Sequence, residues 1–196
     1  MTEAEHTFLF CDLVGFTALT DSEGDERAVA VARALQGHVG ALATTHGAEV
    51  VKAMGDAAMI RCADPSAAVR LALQLVEDVE SDPALPPVRT GVHTGSAVGH
   101  EGDWYGRAVN VAARLCSVAG GGEVLVSEAT LAAAGELPSI SVGERRLHWL
   151  KNVTEPVAAR ATELNRRAGR LSSVLESIPH RLGFGLGSHV TAGGAR

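Results

Sequence analysis

Lysine is almost absent from this sequence. Of the 17 basic residues, only Lys52 and Lys151 are lysine, and the rest are arginine. Lysine offers a compact point charge that the planar guanidinium of arginine cannot mimic at a tight polar site. An arginine-biased composition is one explanation of this scarcity; the other is that the two positions that keep lysine belong to a tight polar site.

Cysteine, long apolar runs and clustered basic charge are also scarce, and each absence excludes a class of protein. The three cysteines are widely spaced among apolar neighbours, which favours reduced core residues over disulfides or a zinc site. No apolar run reaches 18 residues and no basic region precedes the first strand, so we expect neither membrane insertion nor a secretory signal, and a cytoplasmic location. A net charge of −6 without a basic run before the tail argues against nucleic acid as a partner.

The apolar pattern alternates between strand and helix. Residues 7–13 form a near-continuous apolar run that predicts a buried strand. Residues 25–45 show helical spacing and predict a long helix that His46-Gly47 ends. A hairpin is expected around residues 54–56, and a second helix over 65–80 with Asp64 as its cap. Further segments are two strands over 88–100, a helix over 106–118, a strand and helix start over 120–130, and peripheral strands in 140–150 and 155–164.

This βα-ββ-αβ order predicts an α+β fold. The expected form is a ferredoxin-like antiparallel sheet with helices on one face, plus a small extra α/β subdomain. Residues 163–196 are nearly free of acids and rich in glycine. They predict a C-terminal helix, over 169–178, followed by a flexible tail.

Two aspartates stand where a charge needs compensation. Asp12 interrupts the apolar run FLFCDLVGFT, and Asp56 follows the hairpin glycine, so neighbouring strands can bring both to one sheet edge. Paired carboxylates suit Mg²⁺ together with waters and substrate phosphates. The alternative is that Asp12 caps a helix and Asp56 serves a turn. A glycine before a helix start, as at Gly15, also presents backbone N–H groups to an anion.

Asn110 and Arg114 lie four residues apart on the helix predicted over 106–118. Both fall on one ridge at the edge of its apolar stripe, so they can reach one target. An amide and a guanidinium suit a sugar and a phosphate that gains charge during a reaction, although an ordinary solvated pair is the alternative.

Four segments, in this order and spacing, resemble the catalytic domain of the class III nucleotidyl cyclases: FLFCDLVGFT, VVKAMGD, VRTGVHTG and GDWYGRAVNVAARL. AGGGEVLVSEAT and RLHWLKNVTEPV resemble its closing segments. The resemblance implies a class III adenylate cyclase catalytic domain over residues 1–162, of the bacterial type.

The resemblance also implies a role for each matching residue. Asp12, Asp56 and the Leu13 carbonyl would hold two Mg²⁺ or Mn²⁺ ions per active site. The backbone of Val14, Gly15, Phe16 and Thr17 would cradle phosphates, together with Lys151. Asn110 and Arg114 would orient the ribose and stabilise charge at the α-phosphate. Asn152 stands where the family often has glycine, which leaves the shape of that loop open.

The family resemblance assigns the selection of the base to Lys52 and Asp103. Adenine presents an acceptor at N1 and a donor at N6, which a lysine beside a carboxylate complements, whereas guanine reverses this pattern. ATP is therefore the expected substrate. The alternatives are that Lys52 is a solvated lysine on a strand and that Asp103 is a turn residue.

The family architecture implies a head-to-tail homodimer whose sites combine residues of both chains. Trp104 lies in the segment where the family places a dimer-contacting arm, so it is expected either to bury that contact or to be an exposed loop aromatic. His93 is expected to pack against the sheet rather than to act as a base. The competing functions are a guanylate cyclase and a catalytically silent nucleotide-binding module that regulates a partner.

Overall fold

A computed structural model describes residues 5–165 of the chain. The elements of its first half are β1 (Glu5–Leu13), α1 (Phe16–Glu23), α2 (Asp25–Thr45), β2 (Glu49–Met54), β3 (Ala57–Cys62), α3 (Pro65–Glu80) and β4 (Val88–Ser96). The four strands form an antiparallel sheet with the order β2-β3-β1-β4. This is the strand order of the predicted ferredoxin-like core.

The second half extends the same sheet and adds a separate hairpin. The elements are β5 (Val98–His100), β6 (Asp103–Tyr105), α4 (Arg107–Val118), β7 (Val124–Ser127), α5 (Glu128–Ala134), β8 (Ile140–Val142), β9 (Arg146–His148) and β10 (Val157–Leu164). Strand β7 pairs with β4 in parallel, and β10 pairs with β7 in the antiparallel direction. The prediction of a peripheral strand over 155–164 is wrong, because β10 has β7 on one edge and β8 and β9 on the other.

The side chains of β1 point alternately to the two faces of the sheet and so contribute to a core on each face. Leu9, Cys11 and Leu13 face a large cluster formed with α2 and α3, which share one face as predicted. Phe8 points the other way and packs under α4. The α+β class is confirmed, and α4 of the extra subdomain covers the second face.

Local signals placed the main helices correctly. Helix α3 begins at Pro65, and the Asp64 carboxylate caps it by accepting from the Ser66 backbone N–H at 2.8 Å. Helix α2 spans 25–45 and ends at His46, as predicted. The three cysteines are buried and unpaired, and burial raises the pKa of the Cys11 and Cys62 thiols to about 12.

The predicted C-terminal helix and tail lie almost wholly outside the described residues. Within residues 5–165, no helix combines the length and apolar character needed to cross a bilayer.

Candidate active site

The two candidate metal ligands lie together at one sheet edge. Asp12 is next to last in β1, and Asp56 follows the turn glycine Gly55, whose φ of 68° requires the left-handed conformation. The Leu13 N–H donates to the Asp56 carbonyl at 3.1 Å and ties the two segments together. Burial, with a contribution from the nearby Asp12 carboxylate, raises the pKa of Asp56. Two such carboxylates favour a cation between them.

In the described structure a guanidinium provides that positive charge. Arg89 donates from Nε to Asp12 Oδ2 at 2.8 Å and also pairs with it through a terminal nitrogen. Arg89 donates its other terminal N–H to the Ser117 carbonyl at 3.1 Å. Arg89 was not among the residues predicted from the sequence. The antiparallel register of β1 and β4 sets it directly opposite Asp12.

The oxygen-only character of the aspartate pair fits a hard divalent ion such as Mg²⁺ or Mn²⁺. Among residues 5–165, no group of three or more His, Cys, Asp and Glu side chains is arranged to hold a metal. The pair would therefore need further oxygen ligands from the backbone, water and substrate phosphates, as expected for ions that arrive with a nucleotide.

The backbone predicted to bind phosphate is only partly available. The Val14 N–H donates to the Pro87 carbonyl at 2.8 Å, so Val14 cannot also donate to a phosphate. Gly15 is left-handed, with φ of 80°, and forms the N-cap of α1. The first N–H groups of a helix have no partner within it, so Gly15, Phe16 and Thr17 keep donors for an anion.

The two residues predicted to read the base are in direct contact. Lys52 Nζ donates to Asp103 Oδ2 at 2.6 Å, across from β2 to β6. The hydrogen bond from Lys52, with a second one from the Trp104 backbone N–H, lowers the pKa of Asp103. The carboxylate is therefore ionised at neutral pH and oriented on two sides.

Helix α4 presents Asn110 and Arg114 side by side. Neither side chain has a hydrogen-bond partner among residues 5–165, and Asn110 is exposed. Gly91 on β4 permits the close approach of α4, because a Cβ there would lie 2.1 Å from the Cys116 backbone nitrogen. Lys151 lies in the exposed turn after Leu150 and, within the same residues, also has no partner.

His93 is packed against the sheet, as predicted. It is buried, and its Nδ1 lies 2.8 Å from Ser127 Oγ. Burial, with the Arg107 cation nearby, lowers its pKa to about 4, so it is neutral at physiological pH.

Comparison with known proteins identifies the family to which these features belong. A sequence model described as the adenylate and guanylate cyclase catalytic domain matches residues 2–151. The chain is therefore a member of the class III nucleotidyl cyclase family.

Curated relatives show the same likeness. The chain is 38% identical over 151 residues to a protein of Mycobacterium tuberculosis named a pH-sensitive adenylate cyclase, covering 74% of this chain and 38% of the relative. It is 36% identical over 120 residues to an adenylate cyclase of Streptomyces coelicolor, covering 61% and 32%. The chain thus spans about a third of the length of these relatives.

Solved structures agree on the fold. A Trypanosoma brucei adenylate cyclase in its monomeric state superposes with a TM-score of 0.73 at 26% identity, covering 84% of this chain and 90% of that one. The adenylyl cyclase CyaB of P. aeruginosa superposes with a TM-score of 0.71 at 23% identity, covering 84% and 96%.

Proposed function

We propose that this chain is an adenylate cyclase that converts ATP to 3′,5′-cyclic AMP and pyrophosphate and so serves cyclic-nucleotide signalling. The observation that carries the choice of ATP is the Lys52–Asp103 pair, with its atoms 2.6 Å apart. A lysine donor beside a carboxylate acceptor complements N1 and N6 of adenine and mispairs with guanine. Sites built on such polar pairs discriminate between bases by about 10⁴-fold or more.

Asp12, Asp56 and the Leu13 carbonyl are the proposed holders of two Mg²⁺ or Mn²⁺ ions. When bound, such ions supply Lewis-acid activation of the ribose 3′-hydroxyl and charge neutralisation at the triphosphate. Arg89 would have to release Asp12 at that point, which leaves a guanidinium beside the phosphates. The donors of Gly15, Phe16 and Thr17 would face the same anion.

Asn110 and Arg114 are the proposed partners of the ribose and of the α-phosphate. A guanidinium without an internal partner is available to stabilise negative charge that grows at the α-phosphate during cyclisation. Lys151, likewise unpaired among residues 5–165, is proposed to bind the outer phosphates.

The proposal includes a homodimer with two shared sites. In the described part of the chain, no hydrogen bond or ion pair joins the Asp12 and Asp56 pair to the Lys52 and Asp103 pair. Each chain would contribute its metal-binding aspartates to one site and its base- and ribose-binding residues to the other.

A turnover assay tests the activity. Purified protein is incubated with ATP or GTP and Mg²⁺ or Mn²⁺, and the products are separated by chromatography, with Asp12→Ala as control. Cyclic AMP from ATP, absent with the variant, is the expected result. Cyclic GMP as the main product would contradict the assignment of Lys52 and Asp103, and no product from a confirmed dimer would favour a regulatory module.

Two variants test the parts of the proposal separately. Lys52→Glu is expected to weaken the use of ATP relative to GTP, and an unchanged preference would contradict the account of base selection. Mixing inactive Asp12→Ala with inactive Arg114→Ala protein should restore activity, because a mixed dimer contains one intact shared site. No recovery, with mixed dimers confirmed, would count against the shared site.

A further inference from the structure

The hairpin that carries Asp103 cannot hold its position through its own hydrogen bonds. Strands β5 and β6 have three residues each and, within the described chain, form a two-stranded sheet with no third strand. All of β5 is exposed. An isolated two-stranded hairpin is at best marginally stable in water. Something outside the hairpin must therefore fix the position of the Asp103 carboxylate.

Trp104, the residue after Asp103, makes that connection. Its indole lies against His6 and Phe8 of β1, with ring centroids 4.4 Å and 5.8 Å away. The guanidinium carbon of Arg61 on β3 lies 4.9 Å from the centroid of the indole ring. Aromatic pairs and cation–π contacts of this kind each stabilise beyond the area they bury. Trp104 is thus half-buried against the main sheet and is not an exposed loop aromatic.

The indole also lies close to the hairpin backbone. Gly99 is the cross-strand partner of Trp104, and a Cβ on Gly99 would be in van der Waals contact with the indole carbons at 3.4 Å. Arg61 is itself held in place, since its Nε donates to Glu49 Oε2 at 2.8 Å and a terminal nitrogen lies 3.2 Å from His6 Nδ1. The indole therefore fits between the hairpin backbone and a fixed surface of the main sheet.

Successive residues of a strand point to opposite sides. Trp104 packs onto His6 and Phe8 of β1, whereas the neighbouring Asp103 reaches Lys52 on β2 of the same sheet. The backbone N–H of Trp104 also donates to Asp103 Oδ1 at 2.8 Å and fixes the rotamer of that carboxylate. We propose that Trp104 is a positioning residue for substrate selection, because its packing on His6, Phe8 and Arg61 places Asp103 against Lys52. This inference rests on the proposed function, in which that pair reads the purine.

The first test is a double-mutant cycle on the ratio of kcat/KM for ATP to that for GTP. Trp104→Ala should lower this ratio by about tenfold, the factor that corresponds to about 1.4 kcal/mol. The double variant Asp103→Ala/Trp104→Ala should match Asp103→Ala alone, since Trp104 acts through Asp103. Trp104→Phe should keep most of the ratio. The matched control is Trp149→Ala, which removes a tryptophan that is 77% exposed and should leave the ratio unchanged.

The inference would be overturned if the effects of Asp103→Ala and Trp104→Ala on this ratio were additive. It would also be overturned if Trp104→Ala lowered kcat/KM equally for ATP and GTP, because a residue that only stabilises the fold gives these results. If Trp104→Ala does not fold, Trp104→Leu takes its place with the same expected direction.

The second test does not depend on activity. The Asp103 carboxyl is titrated by carbon NMR in the wild type, Trp104→Ala and Trp149→Ala. The pKa of Asp103 should rise toward its ordinary value in Trp104→Ala alone, as the hydrogen bond from Lys52 is lost. An unchanged titration would overturn the inference. A wild type that turns over neither nucleotide but shows this shift would refute the proposed function and leave the positioning role standing.

Discussion

Acid should destabilise this protein through one buried histidine. His93, on β4, is 8% exposed, and its Nδ1 lies 2.8 Å from Oγ of Ser127 on the neighbouring strand β7. Its pKa is lowered from 6.5 to about 4, first by burial and then by the Arg107 cation. Between these two pH values, His93 therefore binds a proton in the unfolded chain but not in the folded chain.

Proton linkage gives the direction and the size of the change in the free energy of unfolding. A histidine with a lowered pKa in the folded state contributes its full stability above pH 6.5 and loses it as the pH falls toward about 4. The difference of about 2.5 pKa units corresponds to about 3 kcal/mol over the whole range. At pH 5 the loss should be about 2 kcal/mol, which lowers Tm by about 4–8 °C in a domain of this size.

The assay compares urea unfolding of the wild type and His93→Gln at pH 7 and pH 5. Glutamine can keep a hydrogen bond to Ser127 but does not titrate in this range. The wild type should lose about 2 kcal/mol more than the variant on acidification, because other titrating groups contribute equally to both. An equal loss in the two proteins would refute the assignment of a neutral buried His93.

Two further predictions concern Gly91 and Arg89. Gly91→Ala should cost about 3 kcal/mol in the free energy of unfolding, because the new Cβ would meet backbone atoms of Cys116 and Ala112 at 2.1 and 2.6 Å. Urea unfolding checks this, and a change below about 0.5 kcal/mol would show that α4 can move away freely. Arg89→Gln should tighten the binding of Mn²⁺ alone several-fold, because an ion pair worth up to about 1 kcal/mol no longer competes for Asp12. Electron paramagnetic resonance of free Mn²⁺ measures this affinity, and weaker binding by the variant would mean that Arg89 holds Asp12 in the metal-binding position.

Local chemistry explains what the sequence predicted well. The ends of α2 and α3 were accurate because a cap at Asp64 and a stop at His46-Gly47 mark them within a few residues. The proximity of Asp12 and Asp56 could be predicted because Asp12 interrupts an apolar run near the end of one strand and Asp56 follows the glycine of the next hairpin turn. The Lys52–Asp103 contact spans 51 residues, and only the family resemblance pointed to it.

Long-range register explains what was missed. The Arg89 pairing depends on β1 lying antiparallel to β4, and the neighbours of Trp104 come from β1 and β3. No periodicity in the sequence encodes these pairings. The donation of the Val14 N–H to Pro87 is equally hidden, because it joins the end of one strand to the connection before another. Family resemblance assigned roles to positions but did not reveal which backbone groups were already used.

The charges of the proposed site divide into two groups with different energetic tasks. Lys52 is held by Asp103, and Asp12 by Arg89, so these groups are oriented before a ligand arrives, and only the Arg89 pairing must open for a metal to bind. Arg114, which is half-buried, and Lys151, which is exposed, have no such partner within residues 5–165. Under the proposed function, the held groups are those that select the base and the metal, where fixed geometry gives discrimination. The free cations are those that meet phosphate charge, where an internal partner would have to be displaced at a cost to transition-state stabilisation. Arg89 belongs to both groups, because it holds Asp12 until metal binding frees it, and its substitution should therefore affect metal affinity and nucleotide affinity in opposite directions.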